Sequence, residues 1–205
     1  MINIYKQNEP KSLESHRNTP GATYDNAPSG MKSDIAQNVC QEQGFICCYC
    51  MQPISPETVK VEHKLSQAKH PKRDLDYSNM AGACKCTTGL PLCKQYCDNF
   101  KRDMDFTFDL ADIEDKIQYE PTGKIKSNIP DLNDQINNVL NLNRPYLVDS
   151  RAKIWEAVCD FLKKHHSKGE IGAEISRLRQ GRNGHKDRLC GVRLFFLQKR
   201  YDRMH

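Results

Sequence analysis

No stretch of this 205-residue chain approaches the roughly 20 consecutive apolar residues that a helix needs to cross a bilayer, so no membrane span is expected. The start, Met1-Ile2-Asn3-Ile4-Tyr5-Lys6, lacks the basic opening and apolar stretch of a secretory signal, which makes the cytoplasm the expected compartment. No internal repeat is present, and that sets aside a solenoid or propeller. With 38% hydrophobic and 28% charged residues, the composition is that of a globular protein. The length suits one ordinary core, or a small catalytic module with a helical partner domain.

Cysteine, by contrast, is plentiful: the chain has ten. In a reducing compartment, close Cys-x-x-Cys spacing points to metal rather than to disulfides. Eight of the ten, at positions 40, 47, 48, 50, 84, 86, 93 and 97, crowd into one stretch. Cys159 and Cys190 stand alone within apolar helical patterns and read as small core residues. Tetrahedral zinc takes four soft ligands, and Cys47 and Cys50 of the Cys47-Cys48-Tyr49-Cys50 run form one knuckle. The second pair comes from Cys84, Cys86, Cys93 and Cys97, four candidates for two places. Cys84 and Cys97 are favoured, with Cys86 and Cys93 as alternates.

The net charge of +5 is unevenly spread. Residues 60–102 carry nine Lys/Arg against four Asp/Glu, and residues 170–205 carry the same ratio, whereas residues 103–149 carry four against ten. Two basic blocks thus flank an acidic one. Clustered Lys/Arg suits a polyphosphate partner, because neutralised phosphates release counterions.

Residues 1–30, rich in Asn, Pro, Ser and Gly, read as an extended wrapping segment without chemistry. Ile35, Ala36 and Val39 have helical spacing within 31–43, and Gly44 offers a stop. Val59 to His63 alternates as a short strand that ends on the Glu62-His63 pair. Phe106, Phe108 and Leu110 alternate too, and Pro121-Thr122-Gly123 is a turn signal, so a small β element is expected between 106 and 125. Residues 131–142 read as a helix. Ile154, Trp155, Val158, Phe161 and Leu162 share one helical face, and Leu189, Val192 and Phe196 suggest a last helix.

Between the two cysteine groups stand Glu62-His63 and then Asn79, five residues before Cys84; Cys97 is followed at once by Asp98 and then by Lys101. This order of Cys-x-x-Cys, acidic-His pair, Asn, Cys and Cys-Asp-x-x-Lys resembles the HNH nuclease signature, with Asp98 standing where that family has His or Asn. The likeness extends along the chain. Leu13, the run from Glu42 to Cys50, Leu75 to Asn79, Tyr96 to Lys101, Gly123-Lys124-Ile125 and Leu140 to Arg151 resemble the PtuB family, the HNH subunits of Septu-type anti-phage systems that also occur in some retron operons.

The resemblance implies an α+β fold, a zinc-stapled ββα-metal (HNH) finger embedded in a mostly helical domain. Its parts would be a wrapping segment and helix over 1–44, the nuclease core over 45–103, and a β-hairpin with a helical partner-docking region over 104–205. It implies that His63 is a general base, that Asn79 orients it, and that Glu62 and Asp98 hold a catalytic Mg²⁺ or Mn²⁺ beside the structural Zn²⁺. Adjacent strand residues point to opposite faces unless the chain bends, which bears on Glu62 next to His63. The implied partners are a PtuA-like ATPase, a nucleic acid substrate (DNA, or structured RNA such as tRNA), and in retron settings a reverse transcriptase and its DNA. A zinc-ribbon module that binds nucleic acid without cutting it, or an adaptor for the ATPase, would account for the cysteines and basic blocks without requiring Glu62, His63, Asn79 and Asp98.

Overall fold

The computed structural model describes residues 1–204, and among these it has seven α-helices and two two-stranded sheets. None of the helices is long and apolar enough to cross a membrane. The architecture is mixed α+β, and its buried side chains form one continuous cluster running from Met1 to Leu197.

The N-terminal segment wraps the core, but it is not uniformly extended. Ile4 donates its backbone N–H to Leu110 O (2.8 Å), and the Asn3 side chain accepts from the backbone N–H groups of Ile113 and Glu114 (2.9 and 2.8 Å), which pins residues 1–4 over that turn. A short helix α1, Lys11–Arg17, follows and buries Leu13. Helix α2, Ser29–Gln43, extends two residues beyond the expected start and stops at Gly44, whose φ of 65° closes the last turn. Its buried face, Met31, Ile35, Ala36, Val39 and Cys40, has the i, i+4, i+8 spacing that the sequence predicts and packs on the first sheet.

That sheet pairs β1, Val59–His63, with β2, Met80–Cys84, antiparallel and in a register that sets Val59 opposite Cys84 and His63 opposite Met80. Gln43 locks helix to sheet. Its amide donates to Gly82 O and Ile46 O (both 2.8 Å) and accepts from Gly82 N (2.6 Å). Gly82 permits this approach, since a Cβ there would sit about 3 Å from Val59 and Gln43.

Residues 106–110 do not form the strand their alternation predicts. The Asp109 carboxylate accepts the Ala111 N–H (3.0 Å) and turns the chain into a 3₁₀ segment instead, while Phe106 N donates to Lys64 O (2.8 Å) beyond the end of β1. The β element lies further on, as β3, Gln118–Tyr119, and β4, Ile125–Lys126, around the Pro121-Thr122-Gly123 turn. Helix α4, Pro130–Asp134, runs into a π-helical turn over Gln135–Val139.

The remaining helices are α5, Pro145–Lys164, α6, Lys168–Gln180, and α7, Cys190–Tyr201. Trp155 of α5 packs on Phe196 of α7, ring centroids 4.4 Å apart. Arg151, 2% exposed, donates to Gly123 O (2.6 Å) and Leu142 O (2.8 Å), so a buried guanidinium fastens α5 to the β3–β4 turn and the end of the π turn. Helix α6 was not anticipated. Its start carries a full capping box between Ser167 and Glu170.

Candidate metal centre and adjoining carboxylate site

Three segments deliver the sulfur cluster. The Cys47-to-Cys50 run is a tight knuckle: Cys47 N donates to Gln52 O (2.8 Å), Met51 N donates to Cys47 O (3.0 Å), and Met51 adopts φ 57° to close it. Cys48 N donates to Gly82 O (3.0 Å), which holds the knuckle against β2, at whose end Cys84 sits. Cys97 caps the short helix α3, Asp98–Lys101, with φ 56°, and its N–H donates to Leu140 O (2.8 Å).

The sulfurs of Cys47, Cys50, Cys84 and Cys97 all lie within 4.8 Å of one another and are buried. Cys47 and Cys97 are 3.9 Å apart and Cys50 and Cys84 3.5 Å, neither a disulfide distance. Zinc–sulfur bonds of about 2.3 Å at tetrahedral angles place ligand sulfurs about 3.8 Å apart, so the quartet fits such an ion. Burial alone would push the Cys47 thiol up, yet hydrogen bonds from Cys48, Cys50, Cys84 and Cys97 hold it well below the usual range, whereas burial pushes Cys97 well above. The alternates Cys86 and Cys93 are exposed and lie outside the cluster. Cys190 is buried, as expected of a core residue, and Cys159 only partly so.

Helix α3 brings Asp98 and Lys101 against β1. Lys101, 1% exposed, donates from Nζ to His63 O (2.9 Å) and lies 3.0 Å from Glu62 Oε1. The Tyr49 hydroxyl donates to the same Glu62 oxygen (2.9 Å). Lys60, two residues back on the same face of β1, sets its Nζ 2.5 Å from Asp98 Oδ2 and pairs with it as an ion. Glu62 and Asp98 titrate apart. Burial, reinforced by the neighbouring Asp98, holds the Glu62 carboxyl well above the carboxylate range. Burial also acts to raise Asp98, but hydrogen bonds from Glu62 and Lys60 and the nearby lysine charges bring it below its ordinary value. Two adjoining buried carboxyl groups, each held by a lysine, offer the oxygen ligands that suit a hard divalent cation.

His63 faces the other way, as strand alternation requires. Its Nε2 meets the Asp74 carbonyl oxygen (2.9 Å), and because a carbonyl only accepts, Nε2 carries the hydrogen and Nδ1 keeps a free lone pair. Burial holds the ring below its ordinary pKa, so it is neutral at pH 7. Asn79 does not touch it. The Asn79 amide accepts from Leu65 N (2.8 Å) and donates to Leu65 O (2.9 Å), so its role is to pin the loop between the strands, while Asp74 orients the imidazole.

Of the residues singled out from sequence, the structure therefore gathers the four cysteines, sets Glu62 beside Asp98, and holds His63 on the opposite side of the same strand. Tyr49, Asp74 and Tyr24 complete the surroundings and were missed; Tyr49 lies inside the cysteine knuckle, while Asp74 and Tyr24 carry no local signal. No family model matches the chain, and no curated protein matches it.

Proposed function

We propose that the protein is a metal-dependent HNH-type nuclease that hydrolyses phosphodiester bonds of DNA or structured RNA. The observation that carries this reading is the convergence of Glu62 and Asp98 beside a four-cysteine quartet, with His63 next along the same strand. Paired buried carboxylates and a neutral histidine, on the two faces of one strand, match what phosphodiester hydrolysis needs, an activated water and stabilised charge on phosphate and leaving group.

In this reading the four cysteines hold zinc and replace a core too small to hold the finger together. His63 takes the proton from the attacking water at Nδ1, with Asp74 fixing its tautomer. Glu62 and Asp98 would hold one Mg²⁺ or Mn²⁺, which when bound supplies Lewis acidity and leaving-group stabilisation. Lys101 fixes the Glu62 carboxyl and the β1 backbone, and Lys60 is the exposed cation nearest Asp98.

The likeness to the PtuB family extends the proposal to an effector subunit of an anti-phage complex with a PtuA-like ATPase. The covering of His63, which is 5% exposed, favours a nuclease restrained until a partner opens it. The test is incubation of zinc-loaded protein, with and without that ATPase, with duplex DNA, total RNA and tRNA in Mg²⁺ or Mn²⁺. Metal-dependent cleavage that disappears in His63→Ala is the expected result; absence of cleavage in every combination would leave the non-catalytic zinc module as the better account.

A further inference from the structure

Beside the sulfur quartet, the insertion between Cys84 and Cys97 and the start of α5 enclose a groove of about 480 Å³. Its apolar surface comes from Leu90 and the rings of Tyr96, Pro145 and Tyr146; Leu90 and Tyr146 are 43% and 58% exposed, unusually open for such large side chains. Tyr146 is not loose, since Arg188 donates to its hydroxyl (3.4 Å).

Three further features say what the groove takes. Lys94 and Arg144 line it, neither has a carboxylate partner among the described residues, and no acidic side chain lines it, so the rim is cationic without compensation. Gln52, also in the lining, is 6% exposed and its amide nitrogen has no hydrogen-bond partner, a cost that a bound acceptor would relieve. Thr87 of the groove accepts a hydrogen bond from Asn99 (3.0 Å), the residue next to Asp98, which ties the groove to the carboxylate site.

From these we infer that the groove binds an unstacked nucleobase of a single-stranded stretch, with its flanking phosphate on Lys94 and Arg144. Aromatic and apolar walls suit the face of a base, which stacks without regard to sequence, and the rim suits its phosphate. Gln52 offers a donor to a ring carbonyl or ring nitrogen at the base edge. A docked protein segment would use the apolar walls but gives no reason for a rim of unpaired cations. The inference rests on the nuclease reading for its purpose, since it gives the enzyme a grip on unpaired nucleotides near the reacting phosphate, but binding is measurable without cleavage.

The experiment is fluorescence anisotropy of full-length zinc-loaded His63→Ala protein with fluorescein-labelled octanucleotides: single-stranded DNA, single-stranded RNA of the same sequence, an abasic version, and the DNA duplex. Single strands are expected to bind more tightly than the abasic version. Tyr146→Ala should weaken single-strand binding about tenfold. Arg144→Ala should weaken it and reduce the dependence on salt by about one phosphate contact. Tyr146 is exposed and Arg144 half-buried at the start of α5, both outside the core, so the variants should fold, which retained zinc and an unchanged melting temperature would verify. The DNA and RNA arms identify which strand supplies the base. Unchanged single-strand affinity in both variants, equal losses for duplex and single strand, or no single-strand binding at all would each overturn the inference and leave a protein segment as the occupant. Unchanged single-strand binding in these variants, with metal-dependent cleavage by protein that retains His63, refutes the groove alone, whereas loss of binding in them with no cleavage by that protein under any condition refutes the nuclease reading alone.

Discussion

Tyr24 lies edge-on against His63, ring centroids 4.9 Å apart and planes at 80°. The contact is not casual, because the Tyr24 backbone N–H donates to Asp74 Oδ2 (2.5 Å) while the Asp74 carbonyl receives His63. One aspartate thus secures both the proposed base and the segment that covers it.

Tyr24→Ala is expected to raise cleavage by the isolated protein. An aromatic pair of this geometry contributes about 0.5–1.5 kcal/mol beyond its buried area, so its removal shifts an open-to-closed equilibrium by about two- to tenfold. Initial rates measured without the ATPase decide it: a rate equal to or below wild type means that Tyr24 supports His63 rather than masking it.

What the sequence made legible and what it hid divide along physical lines. The quartet could be read because cysteine chemistry tolerates few alternatives, whereas the competition among Cys84, Cys86, Cys93 and Cys97 is decided only in the structure, where Cys84 ends β2 and Cys86 falls beyond it into solvent. Helix α2 and the Glu62-His63 strand followed from periodicity and from Gly44. Tyr24 and Asp74 could not be read, since their link to His63 spans 39 and 11 positions of chain and depends on how two irregular segments dock. Phe106 to Leu110 misled because alternation there serves burial of Phe106 and Leu110 in a turning chain held by Asp109. The capping box of α6 was a readable signal.

Stability should depend on pH through His63. Burial lowers its pKa in the folded state below the ordinary value of about 6.5. The unfolded chain therefore binds more protons below that pH, and the folded state loses stability as pH falls through 6.5 toward the folded pKa. His63→Gln lacks this term. Melting temperatures taken from pH 7.5 to 5.5 should show wild type losing ground to the variant on acidification; parallel curves would exclude a depressed histidine. Acid release of zinc affects both proteins alike and cancels in the difference.

The Glu62–Lys101 pair is expected to matter for folding as well as for chemistry. With both partners almost fully buried, Lys101→Met leaves Glu62 Oε1 and His63 O without their Nζ donor and should cost about 3–5 kcal/mol, about 1–3 for each stranded acceptor. For a chain of this size that is a fall in melting temperature of about 10 °C. The double variant with Glu62→Gln should recover little of the loss, because a carboxyl held well above the carboxylate range already keeps its proton at pH 7. Equal melting of Lys101→Met and wild type would show that the pair is open to water in solution.

The two proposed metal sites should fail in different ways. Purified protein made without chelator is expected to carry one zinc per chain, and Cys86→Ser and Cys93→Ser should keep it, since both thiols lie outside the quartet. Cys47→Ala or Cys84→Ala should release zinc and lower the melting temperature, because the finger depends on the metal to hold its turns together. His63→Ala touches no sulfur ligand and should fold, keep zinc and cleave about 10²- to 10⁴-fold more slowly. Asp98→Asn keeps the shape of the side chain and should raise the Mg²⁺ or Mn²⁺ concentration needed for half-maximal cleavage while leaving zinc content unchanged. Elemental analysis, thermal melting and metal titration of cleavage across this set separate the sites. If Asp98→Asn responds to the divalent ion as wild type does, the carboxylate pair does not hold that ion; if Cys86→Ser loses zinc, the ligand set is not the buried quartet.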